Sequence, residues 1–451
     1  MENNQRGFTS NIGAIAAAAG SAIGLGNIWR FPYTLGQNGG GAFLLIYIIF
    51  VIFLGVPLMM TEFAIGRRSQ SNVVGAYRVL SPKHKGWMGI GILGLICGFM
   101  IYSFYSVVAG WTLNYIALSA TGGFAGKDAA AVGEIFTQFT QSSYLPLITQ
   151  AAFLILTGVI VVMGVQKGIE KFTKILMPIL FLLMILLCVR SVTLDGASEG
   201  LKFLFKPDFN NFTATGVLSA LGQAMFSLSI GMGLLVTYGS YIRKNDDLLK
   251  TSVCIAGTDT LIALLAGIAI FPAVFAFGLS PESGPSLVFI TLPNVFNNMP
   301  LGMVFAILFF VLLAIAALTS TISLLEILVL WAVEELKMKR ITATILISFI
   351  IFAIGAVCSL SLGSWSDFTI GGLCVFDLFD ELTATYFMPI GALAFTIFFG
   401  WFYRKEEVWN ELSNGGTLKA KYFKIYYFII RYIAPLALTI VLITGALGIG
   451  N

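Results

Sequence analysis

The sequence predicts an all-α polytopic membrane protein of eleven transmembrane helices, and three observations carry that prediction. Hydrophobic residues make up 58% of the 451 and charged residues only 11%, where a soluble domain carries about 25% charged. Apolar segments recur eleven times, each long enough to cross about 30 Å of hydrocarbon at about 1.5 Å per residue. The basic residues fall overwhelmingly on one side of those segments.

The spans are expected, in order, at roughly 11–36, 41–66, 87–118, 144–164, 168–190, 214–240, 249–278, 300–335, 341–362, 370–402 and 422–449. If the N-terminus is cytoplasmic, twenty Lys and Arg lie in inner segments and four outside: Lys127, Arg190, Lys202 and Lys206. Arg30 and Arg431 fall within spans. This split sets the orientation, and an odd number of crossings puts the C-terminus outside. The opening MENNQRGFTS is polar and has no following cleavage pattern, so no cleavable signal peptide is expected.

Between the spans, no linker separates soluble domains. The outer segment 279–299 mixes prolines with apolar residues, which suits a packed, re-entrant lid. Cys97, Cys188, Cys254, Cys358 and Cys374 lie in or beside apolar segments without metal-ligand spacing and read as small hydrophobes. His84, the single histidine, sits in a basic loop, so no histidine-based metal site is expected.

Span 1 holds AGSAIGLGNIWRFP at residues 19–32. Backbone groups in lipid must be paired, so a broken helix survives only around a cavity or ligand. Glycine lowers the cost of unwinding, and Pro32 discourages helix through Phe31. Unwinding would free carbonyls near Gly20, Ala22 and Ile23, hard oxygens of the kind Na⁺ needs. The half-helix beyond would aim its N–H groups at an anion, and Asn27 adds a neutral oxygen. Span 6 repeats a central Gly-x-Gly, Gly231-Met-Gly233, five spans later and so from the opposite side. Two readings fit: an inverted repeat with paired broken helices, or glycines that only permit close packing.

Other polar groups sit inside spans: Gln223, Ser227 and Ser229 in span 6, Asp259 in span 7, and Thr319, Ser320 and Thr321 in span 8. A carboxylate in a span is a functional hypothesis by default, with helix pairing as its plain alternative. The hydroxyls either coordinate something or bond back to their own helix.

Longer stretches then resemble one family. AGSAIGLGNIWRFP, NGGGAFLLIYIIF (38–50), GVPLMMTEFAIGR (55–67), GQAMFSLSIGMGLLVTYGSYIRK (222–244) and SLVFITLP (286–293) resemble the neurotransmitter:sodium symporters. The chain is similar to their bacterial members, the leucine, tyrosine and broad hydrophobic amino acid transporters. Eleven spans depart from the twelve of many animal members.

The resemblance implies a single transporter domain over 1–451. A first five-helix repeat (11–190) and an inverted second (214–402) would be followed by helix 11 (422–449). Helices 1 and 6 would be discontinuous, with one substrate and two Na⁺ near the midplane. The first Na⁺ would be held by Ala22, Asn27, Ser227, Asp259 and the substrate carboxylate. The second would be held by Gly20, Ile23, Ala316, Thr319 and Ser320.

Tyr47, Gln223 and Ser227 match chloride ligands of chloride-dependent relatives, while Ala263 replaces a common serine. Asp259 would then supply the negative charge, so chloride would not be required. Its protonation on the return step would give H⁺ counterflow. The substrate pocket would be lined by Ser21, Ala22, Leu25, Gly26, Ile101, Tyr105, Phe226, Ser227, Ser229, Met232, Ser320 and Leu324. Gly24 stands where amine transporters carry an aspartate, which favours an amino acid, and the apolar subsite favours a bulky or aromatic one.

For the gates, the resemblance implies Arg30 with Asp380 (Asp377 competing) outside, and Arg6, Tyr241 and Glu334 inside. Phe8 replaces a usual tryptophan. Gly168 and Pro178 would mark where span 5 unwinds. The expected function is Na⁺-coupled import of a hydrophobic L-amino acid by alternating access in a bacterial inner membrane. Neither nucleic acid nor an obligate protein partner is implied. An amino-acid-binding sensor of the same fold is the alternative. An enzyme is not expected, because no nucleophile-plus-base pairing is visible.

Overall fold

Spans 3 and 8 form the centre of the molecule and spans 9 and 11 its periphery. The most apolar windows of the first two are 67% and 56% buried, against 28% and 22% for the last two. The structure, a computed structural model, describes residues 11–210, 212–281 and 287–447. Arg6 and Phe8 lie outside the described residues.

Among the described residues, nine helices are long and apolar enough to cross a membrane. These are Gly41–Ser69, Lys85–Ala120, Leu145–Val162, Val165–Val192, Leu248–Ala276, Gly302–Glu335, Arg340–Leu360, Val375–Phe402 and Phe423–Ala446. They occupy the segments expected for spans 2 to 5 and 7 to 11. The segments expected for spans 1 and 6 are both interrupted.

In span 1 a helix over Asn11–Ala22 stops at Ile23 and Gly24 and resumes as a wide π-turn, Gly26–Arg30, leading into Phe31–Gln37. The segment is helical through Phe31, where Pro32 is expected to discourage helix. Pro32 occupies the first turn of Phe31–Gln37, where its missing N–H would have no helical partner anyway. The Phe31 N–H bonds back to Gly26 carbonyl, five residues earlier. The same device recurs where Val51–Gly55 precedes Pro57, Leu382–Phe387 precedes Pro389, and Ile429–Ile433 precedes Pro435. A π-turn just before a proline relieves the clash of the ring with the carbonyl four residues back.

Span 6 runs as Ala214–Ser227, capped by the Thr213 hydroxyl, and as Leu234–Gly239. Between them Ser229, Gly231 and Gly233 have φ of +56°, +90° and +74°. That conformation suits glycine. A side chain at Gly231 would also strike the Met388 carbonyl of span 10.

Within segment 279–299, Leu287–Thr291 and Leu292–Asn297 are helical. Phe289 packs 5.4 Å from Trp111 and 5.1 Å from Tyr115, ring to ring, over the C-terminal half of span 3. Span 5 is wound throughout Val165–Val192, with Gly168 inside a π-turn and Pro178 inside the helix. The unwinding expected there is absent from this conformation.

Candidate functional site

The two interruptions face each other across a small buried cavity of about 30 Å³. Its walls are Ser21, Ala22, Gly24 and Gly26 of span 1, Ile101 and Tyr105 of span 3, Phe226, Ser229, Met232 and Leu234 of span 6, and Ser320 and Leu324 of span 8. Two expected lining residues are not in this wall. Leu25 instead contributes its backbone N–H, which donates to the Tyr105 hydroxyl at 2.8 Å. Ser227 turns into the polar cluster beside the cavity. Gly24 and Leu234 line it in addition. The Ser21 hydroxyl is buried with no hydrogen-bond partner. A Cβ on Gly24 would strike the Ser320 hydroxyl and lie 2.6 Å from the Tyr105 oxygen, so this position has no room for a side chain.

The polar cluster joins spans 1, 2, 6 and 7. Asn27 Nδ2 donates to Asp259 Oδ1 at 2.7 Å and to Ser227 Oγ at 3.1 Å, and Ser227 Oγ donates to Asp259 Oδ2 at 2.8 Å. The Tyr47 hydroxyl adds a 3.2 Å bond to Asp259 Oδ2. Asn27 Oδ1 accepts the Gly24 N–H at 3.0 Å, across the interruption. Asn27 and Asp259 are wholly buried. A buried carboxylate is retained when paired and fully hydrogen-bonded. Carboxylate, hydroxyl and amide oxygen form a hard donor set suited to a small cation. Gln223 Nε2 donates to the Gly26 carbonyl at 2.9 Å, and its Oε1 has no partner. Ala263 is buried.

On the other side of span 1, Thr319 Oγ1 donates to the Ile23 carbonyl (3.2 Å) and to the Ala316 carbonyl (2.9 Å). Ser320 Oγ donates to the Ser21 carbonyl at 3.2 Å. A Cβ on Gly20 would lie 3.6 Å from Thr319 Cβ. Thr319 thus joins the Ile23 and Ala316 carbonyls, with Gly20 packed beside it, and all these oxygens are neutral.

At Arg30 the arrangement differs from expectation. Among the described residues no direct ion pair joins Arg30 to Asp380. The Arg30 guanidinium instead lies 4.3 Å from the Phe226 ring, with one terminal nitrogen unpartnered. Cation–π attraction to the ring face holds it there. Asp380 is near enough to act on it electrostatically, while Asp377 accepts from the Cys374 thiol. At the opposite end of the molecule the Tyr241 hydroxyl donates to Glu326 Oε1 at 2.6 Å, and Glu326 also pairs with Arg340. Glu334 accepts from Asn72 N at 2.7 Å and Nδ2 at 2.9 Å. Arg6 lies outside the described residues.

Several buried acids were missed from sequence, among them Glu326 and Glu62 inside spans. Glu62 of span 2 accepts the Gly231 N–H at 3.4 Å and so supports the interruption of span 6. The rule that singles out Asp259, a carboxylate inside an apolar span, would have found both.

The sequence profile of the Sodium:neurotransmitter symporter family matches residues 5–138 and 143–449. An uncharacterized sodium-dependent transporter of Bacillus subtilis, YhdH, is 44% identical over 436 residues, 96% of each chain. A second, from Haemophilus influenzae, is 37% identical over 98% of this chain and 99% of its own. Among solved structures, MhsT in complex with L-phenylalanine superposes with a TM-score of 0.91 at 44% identity, covering 98% of this chain and 99% of MhsT.

Proposed function

The chain belongs to the sodium:neurotransmitter symporter family, and on that premise we propose that it imports a bulky hydrophobic or aromatic L-amino acid, driven by Na⁺ and independent of chloride. It is a sodium-dependent secondary transporter of the membrane, and not an enzyme. The observation that carries the finer reading is the buried Asp259 carboxylate, bonded to Asn27, Ser227 and Tyr47 directly beside an apolar cavity.

In this reading Na⁺ is a co-substrate. One ion stands among Ala22, Asn27, Ser227, Asp259 and the substrate carboxylate, the other among Gly20, Ile23, Ala316, Thr319 and Ser320. Sharing a carboxylate couples the amino acid to the first ion. Each ion also gains about 2.3 kcal/mol per 100 mV of membrane potential. Asp259 supplies a fixed charge where chloride would otherwise be needed, and its protonation on the empty return makes H⁺ the counter-ion. The apolar walls Ile101, Phe226, Met232 and Leu324 favour a hydrophobic side chain, and MhsT is seen with L-phenylalanine.

We further propose eleven spans, with spans 1 and 6 the two interrupted ones. They would form two inverted five-helix repeats (11–190 and 214–402) followed by helix 11 (422–449). The N-terminus would be cytoplasmic and the C-terminus external, in a bacterial inner membrane, and no protein partner is required. Arg30 with Asp380, and Tyr241 with Glu334 and Arg6, act as the gates of alternating access.

The test is uptake of labelled L-amino acids into proteoliposomes under an inward Na⁺ gradient, with chloride or gluconate. Na⁺-driven accumulation of phenylalanine, tryptophan or leucine, equal in both anions and accompanied by alkalinisation of the lumen, is expected. A need for chloride would overturn the role of Asp259. Binding without accumulation would make the protein a sensor.

A further inference from the structure

Arg431 lies inside span 11, and nothing in the transport reading uses it. An arginine within a span is rare and needs a partner or a route to water. Here it sits in the π-turn Ile429–Ile433, against the π-turn Phe398–Phe402 of span 10. Its Cζ is 4.4 Å from the ring centre of Trp401, 5.7 Å from Tyr432 and 5.9 Å from Tyr427. Trp401 Nε1 donates to the Arg431 carbonyl at 2.8 Å, and the Tyr427 hydroxyl donates to the Gly400 carbonyl at 2.9 Å. Gly400 lets the two backbones touch, since a Cβ there would stand 3.2 Å from Arg431 Cα. Two hydrogen bonds fix the backbone around Arg431, and three rings surround its guanidinium.

The guanidinium has rings around it but no anion. Among the described residues Arg431 forms no ion pair, and its Nε is buried with no hydrogen-bond partner. Other arginines at the same end of the molecule are neutralised: Arg67 by Glu411, Arg68 by Glu407, and Arg340 by Glu326. Lys405 adds to the uncompensated charge. Its Nζ lies 5.3 Å from the centre of the Tyr427 ring, the ring Arg431 also approaches. Arg404, Lys419, Lys421 and Lys424 flank the same end of spans 10 and 11.

The surroundings also fix the depth and the side from which an anion would arrive. Arg431 is seven residues beyond Lys424, about 10 Å along a helix. Trp and Tyr collect at headgroup level in membrane proteins, and long cationic side chains reach toward that level. Trp401 and Tyr432 are about half exposed, on a surface that faces lipid. Further along span 11 the exposed large apolar side chains include Leu436, Ile440 and Ile443, an apolar ledge running away from the arginine.

We propose that Arg431, together with Lys405, seats the phosphate of one anionic glycerophospholipid, whose acyl chain lies along the exposed face of span 11. A free phosphate would leave the ledge unused, and a zwitterionic lipid would bring its own cation to a site that already has two. The lipid belongs to the cytoplasmic leaflet under the orientation proposed above. The site itself does not depend on that orientation or on the transported substrate.

The test uses the purified full chain in neutral detergent and native mass spectrometry. Phosphatidylglycerol and phosphatidylcholine with the same acyl chains are added in competition. The wild type should retain phosphatidylglycerol in preference, by about five-fold for one near-surface cation. Arg431→Gln should abolish most of that preference and Arg431→Lys should keep part of it. Lys337→Gln, which removes a cation from the turn between spans 8 and 9, should leave it unchanged. Equal loss in Arg431→Gln and Lys337→Gln would overturn the assignment. So would displacement of phosphatidylglycerol by inorganic phosphate, which would mean that the phosphate alone is bound. If Arg431→Gln fails to fold, the wild type decides: equal retention of the two lipids refutes the proposal.

Discussion

Replacing Asp259 by asparagine tests the charge argument at its centre. The wild-type carboxylate is wholly buried and accepts bonds of 2.7, 2.8 and 3.2 Å from Asn27, Ser227 and Tyr47. A cation about 4 Å away at an effective dielectric near 20 gains about 4 kcal/mol from that charge. At about 1.4 kcal/mol per tenfold, losing it weakens Na⁺ binding by up to about a thousandfold. The amide NH₂ also turns a donor toward groups that were donating, at a further cost of about 1–3 kcal/mol. The assay is Na⁺-dependent uptake in proteoliposomes, titrating Na⁺ in gluconate and again in chloride. In gluconate the half-saturating Na⁺ concentration of Asp259→Asn should rise by about a hundredfold or more, on the Coulomb figure above. Chloride should recover part of the loss, because Tyr47, Ser227 and Gln223 still offer donors. An unchanged Na⁺ titration in gluconate would refute the reasoning, since the charge would then not face the ion.

Gly24→Ala should lower amino acid uptake at least about tenfold with normal expression, because its Cβ meets the Ser320 and Tyr105 hydroxyls at a cost of about 1–3 kcal/mol. Leu324→Phe should fill the cavity from span 8, reducing phenylalanine uptake about tenfold relative to alanine, as expected for a change of a few methylenes' volume. Arg340→Leu leaves Glu326, wholly buried, with only the Tyr241 bond of its two described partners. Breaking such a pair costs about 3–5 kcal/mol, so the melting temperature in detergent should fall, and Arg340→Lys should restore much of it.

What could be read from the sequence follows the physics that leaves a mark in it. A stretch of some twenty apolar residues has one cheap solution in lipid, so nine described spans lie where composition places them. Gly-x-Gly inside such a stretch marked both interruptions. The polar side chains of spans 1, 6, 7 and 8 converge because each is too costly to leave facing lipid. Depth along a helix is what the sequence left open. Glu326 and Glu334 lie eight residues apart on one helix, so both can face span 6, and only packing selects Glu326 for Tyr241. Arg30 had two acids in reach by sequence and rests on an aromatic ring instead. The π-turns ahead of prolines insert a single residue, too small a change to disturb an apolar pattern that is continuous anyway.

The two interruptions are held in different ways, and that difference bears on how one cavity could admit an aromatic side chain. In span 1 the interruption is tied on several sides: Gly24 N–H to Asn27, Leu25 N–H to Tyr105, and the Ser21 and Ile23 carbonyls to Ser320 and Thr319. In span 6, among the described residues, Glu62 ties the segment from outside through the Gly231 N–H at 3.4 Å and the Gly233 N–H, and the backbone passes through three left-handed residues. A cavity of about 30 Å³ holds roughly two water molecules, far less than an aromatic ring. A wall must therefore move, and the strongly tied one carries the carbonyls proposed to hold both ions. Moving it to fit a larger side chain would spoil ion binding and uncouple transport. Moving Met232 on its glycine-flanked segment changes the shape of the pocket while Asn27, Ser227 and Asp259 stay in place. The rigid interruption can thus keep the coupling constant while the loose one sets the range of substrates.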